Sequence, residues 1–227
     1  MSGIRSDTNS SSEIRHLRLD DVEHRNPVTP GFLDELTRCI EEEPAVVLIS
    51  AAEGPVFSSG GDLRLGPDRL RELSDSLYMA YEKMIVSPTV FVVAANGLAM
   101  GAGAQLVLAA DIRLAGERFS IRFSDLDTGL AAGMWALPAE IGRGRSLYLL
   151  LTGRTLDVAE AVRLGLVDLV AEPMEEAERL ASKIARLPSS WRERIKRIVA
   201  SASIAETFIR SEAASFEPPS PRCATDE

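Results

Sequence analysis

Two glycine-rich segments hold the residues best suited to chemistry, Phe57-Ser58-Ser59-Gly60-Gly61-Asp62-Leu63 and Asn96-Gly97-Leu98-Ala99-Met100-Gly101-Ala102-Gly103-Ala104-Gln105. Each lies downstream of a strong apolar run and opens a segment of helical character. Small residues let backbone N–H groups approach a ligand closely, and the first turn of a helix adds unpaired donors and a positive partial charge. Two such turns facing one another could hold an oxyanion. The other reading of the same glycines is that they serve only tight turns and close packing.

Other chemistries fail at identifiable residues. A dinucleotide fingerprint over Gly101-Ala102-Gly103 would need its third glycine where Leu106 stands. The GxSxG nucleophile elbow is absent, and His16 and His24 both precede the first helix and read as surface residues, which leaves a Ser-His-Asp hydrolase without a base. Cys39 and Cys223 have no CxxC spacing, so neither a disulfide framework nor a zinc site follows, and a reducing cytoplasm is the expected location. With no cysteine, histidine or carboxylate cluster at ligand spacing, no metal is expected.

Composition narrows the partners. The 34 acidic residues against 25 basic ones give a formal charge of −9, which repels phosphate backbones and anionic lipid, so neither nucleic acid nor a membrane is expected as a partner. At 227 residues and 45% hydrophobic content the chain can bury a sizeable single core. Residues 1–12 are polar and Ser-rich, without the apolar stretch of a signal peptide, and read as disordered; residues 217–227 read as a disordered acidic tail.

The segments that must position the glycine turns alternate between strand and helix. Residues 14–20 alternate like a half-buried strand, and Phe32, Leu33, Leu36 and Ile40 recur at helical spacing between Pro30 and Glu42. The continuous runs Ala45 to Ser50 and Val90 to Ala95 read as parallel strands covered on both faces, with a crossover helix from Arg69 to Val86 between them. A buried helix is expected over Leu106 to Ile112. Beyond Leu147 the strand signal fades into helices over Leu156 to Leu164, Glu175 to Arg186 and Trp191 to Phe208, with a short apolar piece at Leu166 to Val170. The class is α/β, and the alternation alone leaves a spiral and a flat doubly wound sheet equally open.

Taken together, Phe57 to Leu63, Asn96 to Leu106, Ala110-Asp111-Ile112, Leu151-Thr152-Gly153-Arg154-Thr155 and Ala161 to Val167 resemble the crotonase superfamily of enoyl-CoA hydratases and isomerases, in uninterrupted order over residues 14–172. The resemblance implies an α/β core over 13–172 built as a crotonase-like ββα spiral, then a helical region over 173–216 used in trimerisation, giving a homotrimer or a hexamer formed as a dimer of trimers. It implies that the backbone N–H groups of Gly61 and Ala102 form an oxyanion hole around the carbonyl of an acyl-CoA or acyl-carrier thioester, with no cofactor beyond the coenzyme A of the substrate. Ser59, Gly60, Asp62, Leu63 and Gly101 then belong to the substrate-binding loops. Trp135 lines the acyl pocket or packs in the core.

The resemblance also places two acid/base positions. The first falls on Gln105, an amide that can orient a water or a thioester but cannot take a proton near neutral pH. The second falls on Asp125, where the family's Pro-Glu pair has become Ser124-Asp125; the aspartate is shorter by one carbon–carbon bond, about 1.5 Å. A single acid suits double-bond isomerisation, in which one group removes a proton beside the thioester carbonyl and returns it further along the chain. Hydration, decarboxylation of a malonyl-type thioester, or a catalytically silent binding or assembly subunit are the alternatives. Asp125 and its neighbour Asp127 could equally cap a turn.

Overall fold

The computed structural model describes residues 4–8, 13–123 and 136–201. Ser124, Asp125, Asp127, Trp135 and Cys223, which the sequence singled out, lie outside the described residues.

The chain starts with β1 (Ile4–Thr8) and β2 (Ile14–Leu19), an antiparallel pair, followed by a single 3-10 turn at Val22–His24 and α1 (Pro30–Glu41). Proline opens α1, and the Thr29 hydroxyl accepts the Phe32 N–H at 3.2 Å, so the helix starts where the sequence places its first apolar repeat. Three strand pairs then follow. They are β3 (Val46–Ala51) with β4 (Val56–Ser58), β5 (Val90–Ala95) with β6 (Leu98–Met100), and β7 (Ile112–Ala115) with β8 (Ser120–Arg122). The helices α2 (Pro67–Val86) and α3 (Ala102–Ala109) separate these pairs.

The longer strand of each pair enters one sheet and the shorter enters another. The large sheet runs β1-β2-β3-β5-β7-β10 and the small one β4-β6-β8-β9, where β9 is Leu156–Asp157 and β10 is Leu169–Val170. Neighbours from β2 to β10 in the large sheet are parallel, as are β4, β6 and β8 in the small one. Successive ββα units therefore climb side by side, which is a spiral and not a flat doubly wound sheet.

The apolar runs at β3 and β5 are continuous because both faces of the large sheet are covered. Val47, Ile49, Phe91 and Val93 face the main core with α1, α2 and α3. Val46, Leu48, Val90 and Val92 face a second core closed by Ala177 and Ala181 of α7 (Pro173–Ala185). In the chain, α4 (Leu137–Ile141), α5 (Arg143–Thr152) and α6 (Val158–Arg163) precede α7, and α8 (Ser189–Ser201) follows it. Within the described residues no helix is long and apolar enough to cross a membrane.

Several expectations are corrected. The segment 1–12, read as disordered, contains β1, whose backbone finds partners along β2 from Ile4 opposite Leu19 to Thr8 opposite Arg15. The helix expected over Leu106 to Ile112 starts earlier, at Ala102, and stops at Ala109, because Asp111 exchanges bonds with the edge of β5: its N–H donates to Phe91 O at 2.9 Å and its Oδ2 accepts the Phe91 N–H at 2.8 Å. The helix read from Leu156 begins at Val158, since Asp157 caps it through Glu160 N–H at 2.8 Å while Leu156 pairs with Ile121. Past residue 172, α7 is the second cover of the large sheet.

Candidate active site

The first glycine turn leaves β4 at Ser58, a fully buried residue whose Oγ accepts the Gly60 N–H at 3.3 Å. Gly60 has φ +99°, a conformation that a residue with a Cβ rarely adopts. The turn is clamped to the segment before α1: Val28 N–H donates to Gly60 O at 2.7 Å and Asp62 N–H donates to Val28 O at 3.2 Å. In this parallel bridge the groups of Gly61 itself point away from Val28, toward the opposite side of the turn.

The second turn is Gly101, which donates its N–H to Arg122 O at 3.2 Å and accepts the Gln105 N–H at 3.0 Å. Ala102 is the first residue of α3, so its N–H belongs to the unpaired set at a helix start. All eight residues of α3 are buried, and the positive end of the helix dipole is aimed out of the core at the turn.

The two turns touch. A Cβ placed on Gly60 would stand 2.9 Å from Met100 O and 3.3 Å from Ala102 N, and one on Gly101 would stand 3.9 Å from the Gly60 Cα. One residue further on, a Cβ on Gly103 would stand 2.5 Å from the Ser58 Cβ and 2.7 Å from its Oγ. Side chains at these positions would push the turns apart, so the close approach of the two turns itself requires glycine here. Gly61, Gly101 and Ser59 keep partial exposure while Ala102 is 8% exposed, so the paired turns open to solvent on one side.

The side chains around the turns divide by role. Asp62 is buried, and both of its oxygens are held by Arg64, Nε to Oδ1 at 2.7 Å and a terminal nitrogen to Oδ2 at 2.8 Å, with the Arg64 N–H adding a third bond at 3.1 Å. The Arg64 side chain holds the Asp62 carboxyl below its ordinary pKa, which makes Asp62 a loop fastener and not a base. Leu63 is half exposed at the rim. Gln105 lies one helical turn from Ala102 on the same face of α3, 4% exposed, and its Oε1 has no hydrogen-bond partner among the described residues. The two positions that complete the expected set, Asp125 and Trp135, lie outside the described residues.

Histidine plays no part in this arrangement. His24 is exposed, with Nδ1 2.8 Å from Asp21 Oδ1, whereas His16, expected on the surface, is half-buried on β2 with Nε2 2.7 Å from Ser50 Oγ. Cys39 is buried in α1, and burial pushes its thiol up to about 11. Arg64 and Tyr81, neither of them named from the sequence as a site residue, touch the turns, as does Ser58 of the first glycine segment; Tyr81 donates its hydroxyl to Ala102 O at 2.7 Å. Tyr81 shares the buried face of α2 with two other hydroxyl residues, Ser74 and Tyr78, so no local signal set it apart.

A ββα spiral carrying two apposed glycine turns, one of them at the start of a buried helix, defines the crotonase-like class. The chain belongs to the enoyl-CoA hydratase/isomerase family, whose model matches residues 9–215. It is 34% identical over 197 residues to the mitochondrial enoyl-CoA hydratase domain-containing protein 3 of Rattus norvegicus, covering 81% of this chain and 66% of the relative. It is 32% identical over 206 residues to an enoyl-CoA isomerase/hydratase of Mycosarcoma maydis, covering 80% of this chain and 75% of the relative. A crystal structure of a Thermobifida fusca YX protein in complex with CoA has the same fold, with TM-score 0.78, 26% identity and coverage of 94% of this chain and 91% of that one.

Proposed function

We propose that this protein isomerises the double bond of an acyl thioester, carried on coenzyme A or on a carrier protein, through an enolate. The thioester oxygen lies between the Gly61 and Ala102 N–H groups. The Asp125 carboxylate removes a proton from the carbon beside the carbonyl, and the electron pair moves onto oxygen as the enolate forms. The same proton is then returned two carbons further along, the oxygen gives its charge back, the double bond has moved into conjugation, and Asp125 is again a carboxylate. Preorganised donors suit this step because charge develops on that oxygen only in the transition state; one such donor is worth about 2.7–4 kcal/mol of barrier.

The observation that carries the reading is the contact of Gly60 with Gly101 and Ala102, which brings an outward-facing turn N–H and a helix-start N–H to one place. Gln105 supports a single-acid route, because its amide offers no proton acceptor at the other position. The family and the CoA-bound neighbour support a thioester substrate. The proposal extends to a trimer or a dimer of trimers, supported by the apolar side chains that α5 and α8 leave in solvent, Leu151, Tyr148, Trp191 and Val199 among them.

Incubation with 3-enoyl, 2-enoyl and malonyl-type CoA thioesters in deuterated water, read by mass spectrometry, tests the reaction. Double-bond migration, lost in Asp125→Asn, is the expected result, with deuterium entering the product only to the extent that the Asp125 proton exchanges with solvent before its return. Unchanged turnover in Asp125→Asn would remove the proposed base. A second reading, hydration, is favoured by one observation: among the described residues the buried Gln105 Oε1 has no donor, and a substrate water would supply one. Water addition in the same assay would select it, and silence across the panel with tight CoA binding would select a binding or assembly role.

A further inference from the structure

The helix that leaves the first glycine turn returns to brace the second. α2 begins at Pro67, shortly after Gly60-Gly61, and its fourth turn brings Tyr81 into the main core with no exposed surface. A phenylalanine would fill nearly the same volume, so packing alone does not call for the hydroxyl, which must find an acceptor once buried. It finds the Ala102 carbonyl at 2.7 Å. That carbonyl already has a helical partner in the Leu106 N–H, so the tyrosine takes the second lone pair of a group that was satisfied without it.

Its effect is therefore on position. Ala102 sits at the first residue of α3, where no preceding turn of helix holds it, and Gly101 before it has φ +52°, outside the helical region. On one side the first turn of α3 is held by the seat of Gly103 against Ser58. On the other it is held by Tyr81. Burial pushes the phenol well above its ordinary pKa, so the hydroxyl stays a donor across the working pH range.

We propose that Tyr81 is a positioning residue for acyl-thioester chemistry: its hydroxyl, bonded to Ala102 O, fixes the orientation of Ala102 so that the Ala102 N–H meets the oxygen on which the enolate charge develops. This rests on the thioester reading above. An interaction that matters only when charge has developed lowers kcat when lost and leaves substrate binding nearly unchanged.

The test is Tyr81→Phe in the full chain, with two readouts. Steady-state kinetics are expected to show kcat lower by on the order of tenfold with KM within about twofold, a smaller loss than removal of a donor because the donor is displaced and not deleted. The infrared stretch of a bound, unreactive, carbonyl-labelled saturated acyl-CoA is expected to shift to lower frequency in the wild type and by clearly less in Tyr81→Phe. Urea unfolding and circular dichroism confirm that the variant is folded under assay conditions, and the infrared readout needs only binding. Equal kcat and equal carbonyl shift in both proteins would overturn the positioning role while leaving the thioester reading intact. Absence of any carbonyl shift in the wild type would overturn the thioester reading itself, and the inference with it.

Discussion

Gly103 is seated directly on Ser58, so closely that a methyl group at position 103 would stand 2.5 Å from the Ser58 Cβ, 2.7 Å from its Oγ and 2.9 Å from its carbonyl oxygen. This one contact joins β4, which leads into the first glycine turn, to α3, which starts at the second. It sets how closely the two turns approach.

Gly103→Ala is accordingly expected to destabilise the fold by about 1–3 kcal/mol through overpacking, and to reduce turnover by moving the turns apart. Ser58→Gly added to it removes two of the three clashes and is expected to recover part of both losses. Denaturant unfolding and steady-state rates of the single and double variants check this; a Gly103→Ala protein with wild-type stability and rate would show that the turns tolerate separation.

The orphaned Gln105 Oε1 separates stability from activity. A buried acceptor without a donor costs about 1–3 kcal/mol, and an apolar side chain of similar shape removes that cost. Gln105→Leu is expected to be at least as stable as the wild type, by up to about 1 kcal/mol, yet slower in turnover, because the amide proposed to orient the thioester or a water is gone. Chemical denaturation beside an activity assay reads both, and a loss of stability would mean that the amide serves the fold.

Asp62 gives the first turn a dependence on acid. Its pKa is depressed in the folded protein, chiefly by the Arg64 side-chain hydrogen bonds, so it contributes stability above the unfolded-state carboxylate pKa, and that contribution is lost as pH falls through the folded value. Comparing wild type with Asp62→Asn by thermal unfolding, the stability gap is expected to be largest near neutrality and to shrink progressively below about pH 5, as pH falls through the ordinary carboxylate range and then through the depressed folded value. A gap independent of pH would assign the loss to something other than the charge.

At the far end of α3, Lys196 of α8 fastens the C-terminal helix to the core. Its Nζ donates to Asp111 Oδ2 at 2.8 Å, Thr89 O at 2.6 Å and Met84 O at 2.9 Å, and lies 5.1 Å from the centre of the Phe91 ring. The Lys196 side chain is 9% exposed and that of Asp111 25%. Breaking a buried pair strands the remaining charge, so Lys196→Met is expected to cost about 3 kcal/mol, and the double variant Lys196→Met with Asp111→Asn less than the sum of the singles. Additive losses in the cycle would show that the two groups do not depend on one another.

The sequence by itself determined the parts with strong local signatures. The apolar runs of β3 and β5 could only be strands covered on both faces, the Thr29-Pro30 cap fixed the start of α1, and the glycine motifs at 57–63 and 96–106 carried the family resemblance that the matched family model supports. Three-residue strands such as β4, β6 and β8 are too short to show any periodicity, and they exist because each pairs with a neighbour brought from the previous unit of the spiral. The same cause hid the true start of α3 at Ala102, since a glycine- and alanine-rich stretch becomes a helix only where its surroundings bury it on all sides. What the tertiary structure decided is the meeting of positions distant in the chain: Gly60 against Gly101, Ser58 under Gly103, Tyr81 on Ala102. No local pattern encodes such distances, because they arise from the packing of one ββα unit on the next.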